Sequence, residues 1–132
     1  LARVLLVDDD PTSRLTLQTV LKAGGYHVDS AASAAEAVGK LDAGEYELVL
    51  SDLEMERPDS GWKVISHARM KDYKPATALL TTYQNARPEP AKTQNFLLIE
   101  PEDIPELLSK VAYLISDRAT RRMQRELRLA AS

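Results

Sequence analysis

Short apolar runs alternate with helically spaced apolar positions along most of the chain. Arg3 to Val7 (RVLLV) is a β-branched-rich run of the kind a strand buried on both faces requires. Leu15, Leu17, Val20 and Leu21 then recur at helical spacing behind Pro11, which suits a first helical turn, and Gly24-Gly25 marks the stop. Tyr26 to Ser30 reads as a second strand. Ser33 with Glu36 three residues on predicts a capped helix, with Ala37, Val38 and Leu41 as its buried stripe and Gly44 as its end.

Tyr46 to Ser51 predicts a third strand that delivers Asp52 at its end. Gly61 to Lys71 carries Trp62, Val64, Ile65 and Ala68 at helical spacing. Ala76 to Thr82 and Asn95 to Ile99 predict a fourth and a fifth strand. Asp103 is placed to cap a last helix whose apolar face is Ile104, Leu107, Leu108, Val111, Leu114 and Ile115. The stretch from Gln84 to Gln94 holds two prolines and only alanine as an apolar type, so a fourth helix there is weak or missing. Strands alternating with helices imply βαβ units and a parallel sheet covered on both faces. Right-handed crossovers place all strand C-terminal ends on one edge, where such folds bind ligands.

Composition narrows the class. The chain's 132 residues suit one domain, and 44% apolar with 28% charged residues is ordinary for a globular protein. Cysteine is absent, so disulfides and thiolate metal sites are excluded, which fits a reducing cytoplasm. No apolar run approaches the roughly 20 residues of a membrane span. Leu1 in first place, rather than Met, is what a trimmed segment would show. Charge is uneven: residues 117–132 hold five arginines against Asp117 and Glu126, although the whole chain is −3. This basic stretch extends the last helix as a linker or dimer element beyond a domain spanning residues 1–116. It has no interleaved aromatics and no groove-reading motif, so nucleic-acid contact is not expected.

The chemistry gathers at the strand ends. Asp8, Asp9 and Asp10 follow the first strand, Asp52 the third, Thr81 and Thr82 close the fourth, and Glu100 follows the fifth. Carboxylates brought into one crevice repel and resist burial, so a cation should compensate them. A hard divalent ion suits oxygen ligands, and Mg²⁺ in particular binds through one or two carboxylates, phosphate oxygens and water. An aspartate beside such an ion can act as a nucleophile toward phosphorus.

Five fragments together give the chain a resemblance to the response regulator receiver domain of two-component signalling. They are VLLVDDDPTSR (4–14), YELVLSDLEM (46–55), GWKVI (61–65), ATALLTTY (76–83) and the Glu100-Pro101 pair. The resemblance implies a doubly wound, flavodoxin-like α/β fold with a five-stranded parallel sheet in the order 2-1-3-4-5. It implies Asp52 as phosphoacceptor, with Asp8, Asp9, Asp52 and the backbone carbonyl of Glu54 around Mg²⁺. It implies Thr81 as the switch hydroxyl, with Leu97 at the position of the usual switch aromatic. Thr82, Glu54 and Tyr83 would govern access to the phosphoryl group, and Pro101 is a candidate for a cis peptide. The implied partner is a sensor histidine kinase or phosphotransfer protein, with an output domain or a second copy engaging the last helix. Such a domain is a cytoplasmic signalling module that catalyses its own phosphorylation and dephosphorylation rather than a metabolic enzyme.

The chain departs from the family pattern in three places. Glu100 stands where the family has a lysine that pairs with phosphoryl oxygens. A carboxylate there is repulsive by about 1–4 kcal/mol at 4 Å for effective dielectrics between 80 and 20. The loop after Asp52 carries one extra residue before Gly61. Leu97 replaces the aromatic, and Phe96, one residue away, falls on the opposite sheet face. Atypical switching follows, and a phosphorylation-independent interaction module is the main alternative. A lesser alternative is a phosphatase of the haloacid dehalogenase type, since Asp8-Asp9-Asp10-Pro11-Thr12 fits a D-x-D-x-T pattern with Asp8 as nucleophile and Asp10 as acid/base.

Overall fold

The computed structural model describes residues 1–53, 55–80 and 103–131 in full and residues 97–99 through their backbone. The β-strands are β1 (Arg3–Val7), β2 (His27–Ala31), β3 (Leu48–Asp52), β4 (Ala76–Leu80) and β5 (Leu97–Ile99). They pair in parallel in the order β2-β1-β3-β4-β5. Reversal of the order at β1 opens a crevice between β1 and β3 at their C-terminal ends.

Alternation along the strands builds two cores. Val4, Leu6, Val28, Leu48, Leu50, Ala78 and Leu80 point to one face, where Leu17 and Leu21 of α1 (Pro11–Ala23) and Leu107 and Val111 of α4 (Ile104–Ala131) cover them. Leu5, Val7, Val49 and Leu79 point to the other. There Ala37 and Leu41 of α2 (Ala34–Ala43) and Val64, Ile65 and Ala68 of α3 (Ser60–Arg69) close the layer, with Trp62 half-buried at its rim. The continuous apolar character of β1 thus follows from burial on both sides.

Helix ends obey their local chemistry. The Asp10 side chain accepts from the Ser13 N–H at 3.0 Å and Pro11 fills the first turn, where its missing N–H costs nothing. Gly25 at φ +97° turns the chain out of α1 and into β2. Ser33 Oγ accepts from the Glu36 N–H at 3.1 Å, and Asp103 Oδ1 from that of Glu106 at 3.1 Å, so both predicted caps form.

Some expectations need correction. β2 begins at His27 rather than Tyr26, and β3 at Leu48 rather than Tyr46, because Tyr46 packs its ring into the second core just ahead of the strand. Leu15 and Ile104, expected in the buried stripes, are 66% and 41% exposed. Leu15 lies two residues from buried Leu17 and so on the opposite face of α1, and Ile104 is the first residue of its helix. α4 is one continuous helix of 28 residues, and Met123 and Leu127 on it are exposed. The segment expected to lack a firm helix, Gln84 to Gln94, lies outside the described residues, as does Pro101. No helix among the described residues is long and apolar enough to cross a membrane.

Candidate functional site

Strand register places the acidic residues. β1 and β3 pair with Val7 opposite Ser51, so Asp8 and Asp52 follow side by side at the C-terminal edge of the sheet. Carboxylate oxygens of Asp8, Asp9 and Asp52 lie within 4.8 Å of one another. Asp8 is buried, Asp9 exposed and Asp52 intermediate, so the cluster runs from the protein interior to its surface.

Hydrogen bonds fix the strand ends that carry Asp8 and Asp52. The Asp8 N–H donates to the Ala31 carbonyl at 3.0 Å, pinning the end of β1 to β2. Asp8 Oδ1 accepts from the Asp10 N–H at 3.0 Å. Beyond Asp52, the Leu53 N–H donates to the Leu80 carbonyl at 2.9 Å, and buried Ser51 donates its hydroxyl to the Asp52 carbonyl at 3.1 Å. The chain then turns tightly into α3, with Ser60 Oγ accepting from the Arg57 N–H at 3.2 Å.

Electrostatics make the cluster cation-seeking. Burial pushes the Asp8 carboxyl above its ordinary value, and the charges of Asp9 and Asp10 push the same way. The Asp10 N–H and the Arg14 guanidinium act in the opposite direction and do not cancel the rise. An ionised carboxylate that is 4% exposed and faces two more carboxylates calls for a hard cation with oxygen ligands. The donor set is all-oxygen with no histidine or thiol, which fits Mg²⁺ better than a transition metal.

Three of the sequence-predicted site residues, Asp8, Asp9 and Asp52, therefore come together. Asp10 does not join the metal-competent group, because its carboxylate caps α1. Leu97 opens β5 opposite Ala78, its side chain outside the described atoms. Glu54, Thr81, Thr82, Tyr83, Glu100 and Pro101 lie outside the described residues.

Three contacts at the site were not legible in the sequence. Arg14, one turn into α1, folds its Nη1 back to donate to the Asp8 carbonyl at 2.8 Å. Glu56 in the loop after Asp52 accepts from the Ala34 N–H at 3.0 Å, so this loop caps the first turn of α2. Gly61 lies directly against the Asp52 and Leu53 carbonyls. Only the glycine carried a signal in advance, through its place at the start of a helical pattern behind a turn.

Comparison with known proteins agrees with this geometry. Residues 4–95 match the family model described as the response regulator receiver domain. The transcriptional regulatory protein PcoR of Escherichia coli is 28% identical over 116 residues, 86% of this chain and 51% of PcoR, so the chain spans about half of that relative. Among solved structures, the response regulator TrrA of Thermotoga maritima, in complex with Mg²⁺ and BeF, superposes with a TM-score of 0.74. It is 33% identical over 86% of this chain and 99% of the other. A complex of the histidine kinase ThkA with TrrA matches at a TM-score of 0.71, with 33% identity and coverage of 86% and 98%. With its matching profile, its crevice between β1 and β3, and its three converging aspartates, the chain belongs to the response regulator receiver domain family.

Proposed function

We propose that this chain accepts a phosphoryl group on Asp52 from the phosphohistidine of a sensor histidine kinase or phosphotransfer protein, and so regulates an output domain or partner. The observation that carries this reading is the meeting of Asp8, Asp9 and Asp52 carboxylates within 4.8 Å at the end of a parallel sheet. Asp8, Asp9, Asp52 and, by resemblance to the family, the Glu54 backbone carbonyl would hold Mg²⁺. Bound there, the ion supplies charge neutralisation for an incoming phosphoryl group. An Asp52 carboxylate oxygen forms the new O–P bond, and the donor's P–N bond breaks with its electron pair leaving on the imidazole. Self-catalysed hydrolysis of the acyl phosphate by water returns Asp52 to its carboxylate. The kinase complex of the related TrrA supports a kinase as partner.

Switching is atypical in this reading, since Glu100 and Leu97 replace the lysine and aromatic that the family uses. Those same two residues favour the second reading, an interaction module that works without phosphorylation, in which the exposed far end of α4 engages an output domain or a second copy. The dehalogenase-type phosphatase reading is disfavoured, because Asp10, its required acid/base, serves as the cap of α1. Incubation with Mg²⁺ and acetyl phosphate followed by intact-mass measurement decides between the first two. An 80 Da adduct, roughly one phosphoryl group, that disappears in Asp52→Asn supports the phosphoacceptor. A folded wild-type chain with no adduct selects the phosphorylation-independent module.

A further inference from the structure

Charge at the site does not balance with a divalent ion alone. Asp8 and Asp9 contribute two negative charges, and a phosphoryl group on Asp52 adds about two more. One Mg²⁺ neutralises half of that. A second cation should therefore stand near the crevice.

We propose that Arg14 is this second cation, a binding residue for the phosphoryl oxygens; the proposal rests on the phosphoacceptor reading above. Arg14 sits in α1, which starts directly behind the Asp8-Asp9-Asp10 run. Its Nη1 donates to the main-chain carbonyl of Asp8 at 2.8 Å, which holds the guanidinium against the residue that carries the buried carboxylate of the cluster. The side chain is half-buried, so its charge is incompletely screened, and it acts on the Asp8 carboxylate. A guanidinium presents five donors in a rigid fork, so one can hold a carbonyl while others turn to oxygens of a tetrahedral anion. In the transfer step Arg14 changes no bond. It offers hydrogen bonds to the phosphoryl oxygens while the Asp52 O–P bond forms and the bond to the donor's leaving atom breaks.

The consequence is a split between two ligands. A cation at this place should disfavour free Mg²⁺ slightly and favour the phosphoryl group. Calorimetric titration of the full chain with MgCl₂ alone, and then with beryllofluoride at saturating Mg²⁺, reads both. Arg14→Ala should weaken beryllofluoride binding about ten-fold or more and slow labelling by acetyl phosphate to match. Mg²⁺ affinity should stay unchanged or tighten by up to a few-fold. Arg14→Lys, which keeps the charge and loses the fork, should fall between. Equal weakening of Mg²⁺ and beryllofluoride in Arg14→Ala would mean that Arg14 only braces the end of β1, and would overturn the proposal; so would no change in either. A wild-type chain that binds Mg²⁺ but takes neither beryllofluoride nor phosphoryl would overturn the phosphoacceptor reading itself, and this inference with it. Thermal melts of each variant without ligand identify loss of fold, and in that event Arg14→Lys alone decides.

Discussion

Gly61 packs its α-carbon against the backbone of Asp52 so closely that a β-carbon would fall on the Asp52 carbonyl oxygen and within 2.6 Å of the Leu53 oxygen. Both neighbours are backbone atoms at the end of β3 and cannot swing aside as a flexible side chain would. The first turn of α3 can therefore approach the end of β3 only with glycine here. Gly61→Ala should cost more than about 2 kcal/mol in urea unfolding and should weaken Mg²⁺ binding by moving Asp52. Gly39, inside α2, has nothing within 4 Å of its would-be β-carbon. Gly39→Ala should instead stabilise by about 0.5–1 kcal/mol and leave Mg²⁺ affinity alone. Similar effects from both substitutions would remove the steric account.

Asp8 offers a test of the proposed Mg²⁺ site that needs no phosphodonor. Its carboxyl is pushed above the usual range, first by burial and then by Asp9 and Asp10. The folded state thus holds an Asp8 proton more tightly than the unfolded chain, and that contribution to stability fades as pH rises through the folded value. At neutral pH and without a divalent ion, Asp8→Asn should raise the melting temperature, by the order of 1 kcal/mol in stability. Mg²⁺ should raise the wild-type melting temperature according to its occupancy and raise that of Asp8→Asn far less. A variant less stable than wild type in EDTA would show that the carboxylate is better satisfied than its burial implies.

Much of this fold was readable from spacing alone, because each buried stripe had a period that only one kind of element satisfies. Val4 and Leu6 against Leu5 and Val7 announced a strand covered on both faces, and Ser33 with Glu36 announced the start of α2. Leu15 and Ile104 misled for different reasons: Leu15, two residues from buried Leu17, falls on the opposite face of α1, and Ile104 is the first residue of its helix. At the site, Asp8, Asp9 and Asp52 were legible because strand ends of a parallel sheet share one edge. Arg14 and Glu56 were not, since a charged residue at a helix or loop surface has no pattern until its partner's backbone is placed.

Glu56 ties the loop after Asp52 to another element. Its carboxylate lies below the usual range chiefly because it accepts from the Ala34 N–H at the start of α2. Glu56→Ala should remove about 1 kcal/mol, the worth of a helix cap. Glu56→Gln, which keeps an acceptor without the charge, should lose less. Hydrogen exchange of the Ala34 amide reads the contact directly, and unchanged protection in Glu56→Ala would show that the loop does not hold α2.

Tyr46 makes a pH prediction at the other end of the sheet. Burial first, and then its hydrogen bond to Asp29 at 2.8 Å, push its hydroxyl up to about 12. Burial alone would raise Asp29, but the hydrogen bonds from Tyr46 and Arg3 outweigh it and hold Asp29 below its ordinary value. For Tyr46 the folded state keeps the proton that the unfolded chain gives up near pH 10. Its contribution is thus complete below pH 10, roughly the unfolded value, and is lost between there and about 12. Over that window wild type should lose about 2–3 kcal/mol more than Tyr46→Phe. Parallel pH profiles for the two proteins would show that the phenol ionises as freely folded as unfolded.

Arg118 and Lys74 fix where α4 leaves the domain. Lys74 sits at φ +45°, left-handed backbone that costs an ordinary residue about 1 kcal/mol or more, immediately before Pro75. Arg118 closes over this turn, donating from Nε to the Lys74 carbonyl at 2.9 Å and from Nη2 to the Tyr73 carbonyl at 2.6 Å. Burial pulls the Arg118 guanidinium below its ordinary value, yet it stays charged at any physiological pH, so both bonds are charge-assisted. Lys74→Gly removes the backbone cost and keeps both carbonyls, so it should stabilise by about 1 kcal/mol. Arg118→Ala leaves two carbonyls without this donor and should destabilise by about 1–3 kcal/mol. The double variant should fall short of the sum, because relaxing the turn lets water reach the carbonyls that Arg118 leaves behind. Urea melts of the four proteins measure the coupling, and strict additivity would show that the clamp and the strained turn are independent.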